Sequence, residues 1–219
     1  MNTLPPTARL EPIGRFEAIA GLVLVLASAV LVAIAWSGNE TLMHWLTSEE
    51  GPLEWLSARA WFVIAALLLW RGPRGATLYA LAALAVVFGL RELDLHKVVA
   101  HTSFLKNAFY RDPSISSADK ALGGALAFGT VGIVLTGLLL GARAYLRRRL
   151  YRSSWGRVVL GAAVLLVLSK LLDRIPATLS VDYGIALETH LKAVVSLHEE
   201  WLECYVPLLY VAAAWRAPA

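Results

Sequence analysis

The chain predicts an all-α polytopic membrane protein, a bundle of six transmembrane helices with both termini cytoplasmic. Three observations carry this. Apolar residues make up 58% of the 219 positions and charged residues only 16%, outside the usage of soluble domains. The apolar residues gather into segments near the roughly 20 residues that cross a hydrocarbon core about 30 Å thick. Nothing of soluble-domain size lies between them, so residues 1–219 are expected to form a single integral membrane domain.

The first helix is expected over about 16–36. Its apolar core exceeds the 7–15 residues of a signal-peptide h-region, so it reads as a retained span. Ser37-Gly38-Asn39 stops it, and a short acidic loop with Glu40, Glu49 and Glu50 follows. Gly51-Pro52 opens the second helix, about 52–70, with Pro52 in the first turn where its missing N–H is harmless. A Gly/Pro turn leads to the third, about 76–99. The break that follows mixes Phe104, Lys106, Phe109, Tyr110 and Arg111, which suits a segment lying in the headgroup region. The fourth helix, about 118–145, has Ser117 or Asp119 as candidate caps. Its Ala121, Ala125, Gly129, Gly137 and Gly141 stand at multiples of four. This small-residue stripe is a close-packing face, with Gly137 and Gly141 a candidate helix–helix contact. The fifth helix is expected over about 155–172, with a loop at 175–189, and the sixth over about 189–215, kinked at Pro207.

Orientation follows from the basic residues. Arg143, Arg147, Arg148, Arg149, Arg152 and Arg157 crowd one connection, and the positive-inside rule keeps it in the cytoplasm. With six crossings, all five histidines then fall on the outer side. The arginines account for the net charge of +4 without a nucleic-acid partner. Cys204 is the one cysteine, which excludes an intrachain disulfide and a cysteine-based metal site.

The candidate site is built around Arg91-Glu92-Leu93-Asp94-Leu95-His96-Lys97. A charged group at mid-bilayer costs roughly 2.5 kcal/mol or more, so these residues need partners or water. Glu50 and Glu54, Glu92 and His96, and Glu199 and Glu203 are each four apart, on one helix face. They are expected to meet, with Asp173, in an outer pocket. Glu203 lies among Trp201, Leu202, Cys204 and Tyr205. It therefore requires a cationic partner or a raised pKa, and Arg59 and Lys170 are the internal cations at hand. Glu92, Asp94, His96, Glu54 and Glu203 are the candidate catalytic groups. Glu92, His96, Asp94, Glu199 and His198 are candidate ligands for a divalent metal such as zinc, which would activate water. Lys97, Lys106 and Arg111 are candidate contacts to a lipid phosphate. The plainer alternative is a set of ion pairs pinning helix ends: Arg91 with Glu54, Lys170 with Asp173, Glu188 with Lys192.

The motifs Glu50-Gly51-Pro52-Leu53-Glu54-Trp55, Arg91-Glu92-Leu93-Asp94-Leu95-His96-Lys97 and Glu199-Glu200-Trp201-Leu202-Glu203 resemble those of a family of uncharacterised multi-pass bacterial inner-membrane proteins. The resemblance implies a bacterial inner membrane and no particular reaction. Ser57, Asp94 and His96 are loosely similar to the Ser, Asp and His of the ceramidase and progestin-receptor-like membrane hydrolases. That superfamily has seven spans and a late His-x-x-x-His, whereas His190 and His198 here are eight apart.

Together these readings lead to an inner-membrane hydrolase or transferase acting on a lipid or lipid-linked substrate from the outer side. The alternatives are a non-catalytic membrane subunit or assembly factor, and a small transporter or proton-linked protein. A transporter requires a polar path to the cytoplasm, and the inner halves of the segments are nearly all apolar.

Overall fold

The computed structural model describes residues 14–48, 51–72, 74–95 and 102–217. Among them the chain is all-helical, with no strand. Three stretches are long and apolar enough to cross a membrane: Arg15–Ser37, Glu40–Arg71 and Ser117–Arg147. The chain divides into two compact units. One joins the residues up to Glu54 with those from Tyr145 onward, and the other runs from Trp55 to Ala144.

The first unit holds α1 (Arg15–Ser37), α2 (Glu40–Thr47), α7 (Ser154–Tyr183) and α8 (Thr189–Arg216). Helix α8 is its centre, in contact with α1, α2 and α7. Its Leu197, Leu202, Val206, Leu209 and Ala213 are buried, a helical face repeating every three to five residues. By contrast α1 buries only Leu31 and Ala35, and Ile19, Leu22, Leu26 and Val30 are exposed, as a lipid-facing helix requires. Gly38 closes α1 in the left-handed conformation (φ 67°).

The expected acidic loop after it is instead partly helical. The Asn39 side chain accepts from the Leu42 N–H at 3.0 Å and so caps α2. Met43 and Leu46 of α2 then pack against the buried cluster of Leu31, Ala35 and Leu197. Helix α7 also outruns its expected end at about 172. It passes through Pro176 to Tyr183, and Gly184 (φ 65°) stops it. Proline removes one i→i−4 hydrogen bond without forcing an end, whereas the left-handed glycine ends the helix outright.

The second unit holds most of α3 (Pro52–Arg71), α4 (Ala76–Glu92), α5 (Asn107–Arg111) and most of α6 (Ser117–Arg147). Trp61 of α3 packs on Phe88 of α4 with ring centroids 4.8 Å apart. A Cβ on Gly137 would lie 2.9 Å from Leu84 Cβ, and one on Gly141 2.9 Å from a Leu81 methyl. The two glycines thus bring α6 close to α4 within the chain. Gly129, in the expected stripe, faces open space, and Gly123 packs against Phe109 instead. Helical geometry explains the difference. At about 100° per residue, Gly129 is rotated about 80° from Gly137, whereas Gly123 is within about 40° of it. The cap of α6 is Ser116, which accepts from the Asp119 N–H and donates to the Asp119 carboxylate.

Candidate functional site

Two polar side-chain clusters join distant helices within the first unit. Glu203 sits on α8 between buried Leu202 and Cys204, so its carboxylate is largely withdrawn from solvent, at 16% exposure. Helix α7 packs alongside and brings two donors to it. Lys170 Nζ pairs with Glu203 Oε1, and the fully buried Ser169 hydroxyl donates to the same oxygen at 3.3 Å. Of the two cations at hand, the fold selects Lys170. Arg59 is exposed and lies over the Trp55 ring, 5.4 Å from its centroid. The expected pairing of Lys170 with Asp173 is not the one made: Asp173 lies 3.9 Å from its neighbour Arg174.

A second knot ties the start of α1 to the start of α7, and the sequence reading did not anticipate it. Arg157 donates from Nε (3.1 Å) and Nη2 (2.6 Å) to Glu17 Oε1. Ser154 donates at 2.6 Å and the Gly14 N–H at 3.1 Å to Glu17 Oε2. Arg157 also donates to the Arg152 carbonyl at 3.0 Å. Glu17 stands in the first turn of α1, where a carboxylate favours the helix dipole. That position was the one signal available. Its partners stand 137 and 140 residues away and become neighbours only through the fold.

The imidazoles of His198 and His190 are turned to backbone. His198 Nδ1 lies 2.8 Å from the Val194 carbonyl, and His190 Nδ1 lies 3.2 Å from that of Ala35. A carbonyl only accepts, so the ring proton of each sits on Nδ1. His190 also stacks on Trp36, the planes 8° apart.

Of the other expected site residues, Glu92 is half-buried and ends α4, and Asp94 is half-buried two residues on, with φ 53°. Helix α4 stops at Glu92, and position 96, expected on the same helix face, falls outside the described residues. His96 and Lys97 lie outside the described residues, as does Glu50. Glu54, in the first turn of α3, and Glu199 are half-buried, and Lys106 and Arg111 are exposed. Ser57 is buried.

Among the described residues no three His, Cys, Asp or Glu side chains come together to hold a metal. Of the expected zinc set of Glu92, Asp94, His96, His198 and Glu199, His96 lies outside the described residues, and His198 Nδ1 faces the Val194 carbonyl. Two open hollows lie among the described residues. One is an apolar groove lined by Ala80, Ala83, Gly129, Gly132, Ile133 and Thr136. The other lies along α2 by Glu40, His44 and Trp45. None of the expected catalytic residues lines either. Comparison with protein-family models, curated proteins and solved structures finds no match.

Proposed function

We propose that this is a multi-pass protein of the bacterial inner membrane, six spans with both termini cytoplasmic, and that it serves as a non-catalytic membrane subunit or assembly factor. The observation that carries this is the Lys170–Glu203 pair completed by Ser169. This carboxylate, one of the expected catalytic groups, is engaged between α7 and α8. The Glu17–Arg157–Ser154 knot supports the same reading, since it fastens α1 to α7. Positive-inside charge supports the orientation, through the arginines between Arg143 and Arg157.

A second reading, an enzyme acting on a lipid or lipid-linked substrate, draws on Asp94. Its backbone is left-handed at the end of α4, where glycine is the low-energy residue and where a carboxylate opposes the helix dipole. Locally unfavourable residues of this kind cluster at functional sites.

One experiment separates the two. The protein is extracted from native membranes in a lipid-retaining polymer, and its mass and its turnover of bilayer phospholipid are measured. The subunit reading predicts a complex heavier than the 23.8 kDa chain by at least one other polypeptide, and no turnover. A lone chain that hydrolyses or transfers lipid, and loses this activity on Asp94→Asn, overturns it in favour of the enzyme.

A further inference from the structure

The segment between α4 and α6 is anchored like a platform. Phe109 is fully buried and Phe104 nearly so, and both press on Gly123 of α6, where a Cβ would lie 2.6 Å from the Phe109 ring. The Tyr110 hydroxyl donates to the Phe104 carbonyl at 2.8 Å, closing the turn on itself. Asp112 then makes an Asx turn, accepting from the Ser114 N–H (2.8 Å) and hydroxyl (2.6 Å). What this framework leaves exposed is Leu105, Lys106, Tyr110 and Arg111. The platform directly precedes Ser117, where a helix long and apolar enough to cross a membrane begins. On the membrane assignment proposed above, it stands at the level of the headgroups.

We infer that this platform binds the phosphate of an anionic phospholipid in the leaflet beside it, a reading that rests on the membrane assignment above. Lys106 and Arg111 supply the charge-assisted donors, and Leu105 and Tyr110 lie against the acyl–headgroup boundary. The charges nearby favour an anion. Lys106, Arg111 and Lys120 stand against Asp112 and Asp119, and each of those carboxylates accepts from a serine hydroxyl. Because the segment is held by Phe104 and Phe109, the two basic side chains are presented without ordering a loop, which removes an entropic cost of binding.

The test is site-specific. A fluorophore on Asn107→Cys, with Cys204 buried and unlabelled, reports which brominated lipid sits beside α5. Each basic side chain near a membrane surface favours anionic lipid by about fivefold. Brominated phosphatidylglycerol is therefore expected to associate about twenty-five-fold more tightly than brominated phosphatidylcholine. Lys106→Gln with Arg111→Gln brings that ratio near one, whereas Lys106→Arg with Arg111→Lys keeps it. Arg147→Gln with Arg148→Gln leaves it unchanged. A wild-type ratio near one, or a preference that survives the double glutamine variant, overturns the inference. So does loss of the preference on adding free glycerol phosphate, which would mark a site for a soluble phosphate. A wild-type chain that fails to enter bilayers contradicts the membrane assignment itself, and that is seen before lipids are compared.

Discussion

Removing Lys170 and Glu203 singly and together measures what their pairing contributes. Lys170→Met leaves a carboxylate of 16% exposure beside Ser169, in a segment flanked by apolar residues. Breaking a fully buried pair costs about 3–5 kcal/mol. The ammonium is 36% exposed, so part of its charge is solvated and the coupling is reduced. An estimate of about 2 kcal/mol for Lys170→Met, and about 1–2 kcal/mol for Glu203→Gln, follows from that reduction. The double variant Lys170→Met/Glu203→Gln removes both charges. It is expected to lose no more than about 1 kcal/mol, giving a coupling of at least about 2 kcal/mol between the two positions. Unfolding in mixed micelles with increasing SDS, followed by tryptophan fluorescence, supplies the four free energies. Losses that simply add would refute the idea that these residues lock α7 to α8. A double variant that folds well but has lost lipid turnover would move the pair from scaffold to chemistry.

Three further outcomes follow from the geometry. Gly156→Ala drives a Cβ into the Leu150 carbonyl oxygen and is expected to cost about 3 kcal/mol, whereas Gly161→Ala on the same helix meets nothing within 4 Å and should gain up to about 1 kcal/mol; the same unfolding assay reads both. Asp94→Gly relieves a left-handed aspartate (φ 53°) and should stabilise by about 0.5–1 kcal/mol, and a loss of stability instead would mean that the contacts of Asp94 outweigh its backbone cost. Hydrogen bonds from the Ser114 hydroxyl and N–H hold the Asp112 carboxyl below the usual aspartate range. Its contribution to the turn is therefore complete above about pH 4 and lost as pH falls below that through the depressed value, so carboxyl NMR should show Asp112 titrating late and Ser114→Ala, which keeps the N–H, moving it part of the way back toward the ordinary range.

Much of the helical layout was legible because bilayer thickness and hydrophobic runs fix helix existence with little help from tertiary structure. The start of α3 at Pro52 and the end of α1 before Gly38 follow from local chemistry alone. Helix α2 was missed because eight residues with two acidic neighbours look like a loop, although Asn39 before Leu42, Met43 and Leu46 is a cap followed by an apolar face. The fifth helix was ended too early, at about 172, because Asp173, Arg174 and Pro176 follow its apolar run, whereas it continues to Tyr183. The need of Glu203 for a cation was readable, but the choice between Arg59 and Lys170 depends on which helices are neighbours, and periodicity does not carry that. Small residues at multiples of four exaggerated the packing face of α6, since a real helix drifts by about 40° at every such step.

The account rests most on the membrane crossing and its orientation, and side-specific labelling in intact cells tests both. With Cys204 buried, a membrane-impermeant maleimide should label Asn107→Cys from outside and should reach Arg149→Cys only after the cells are permeabilised. Labelling of the two positions from the same side, or from the reverse sides, would contradict the account.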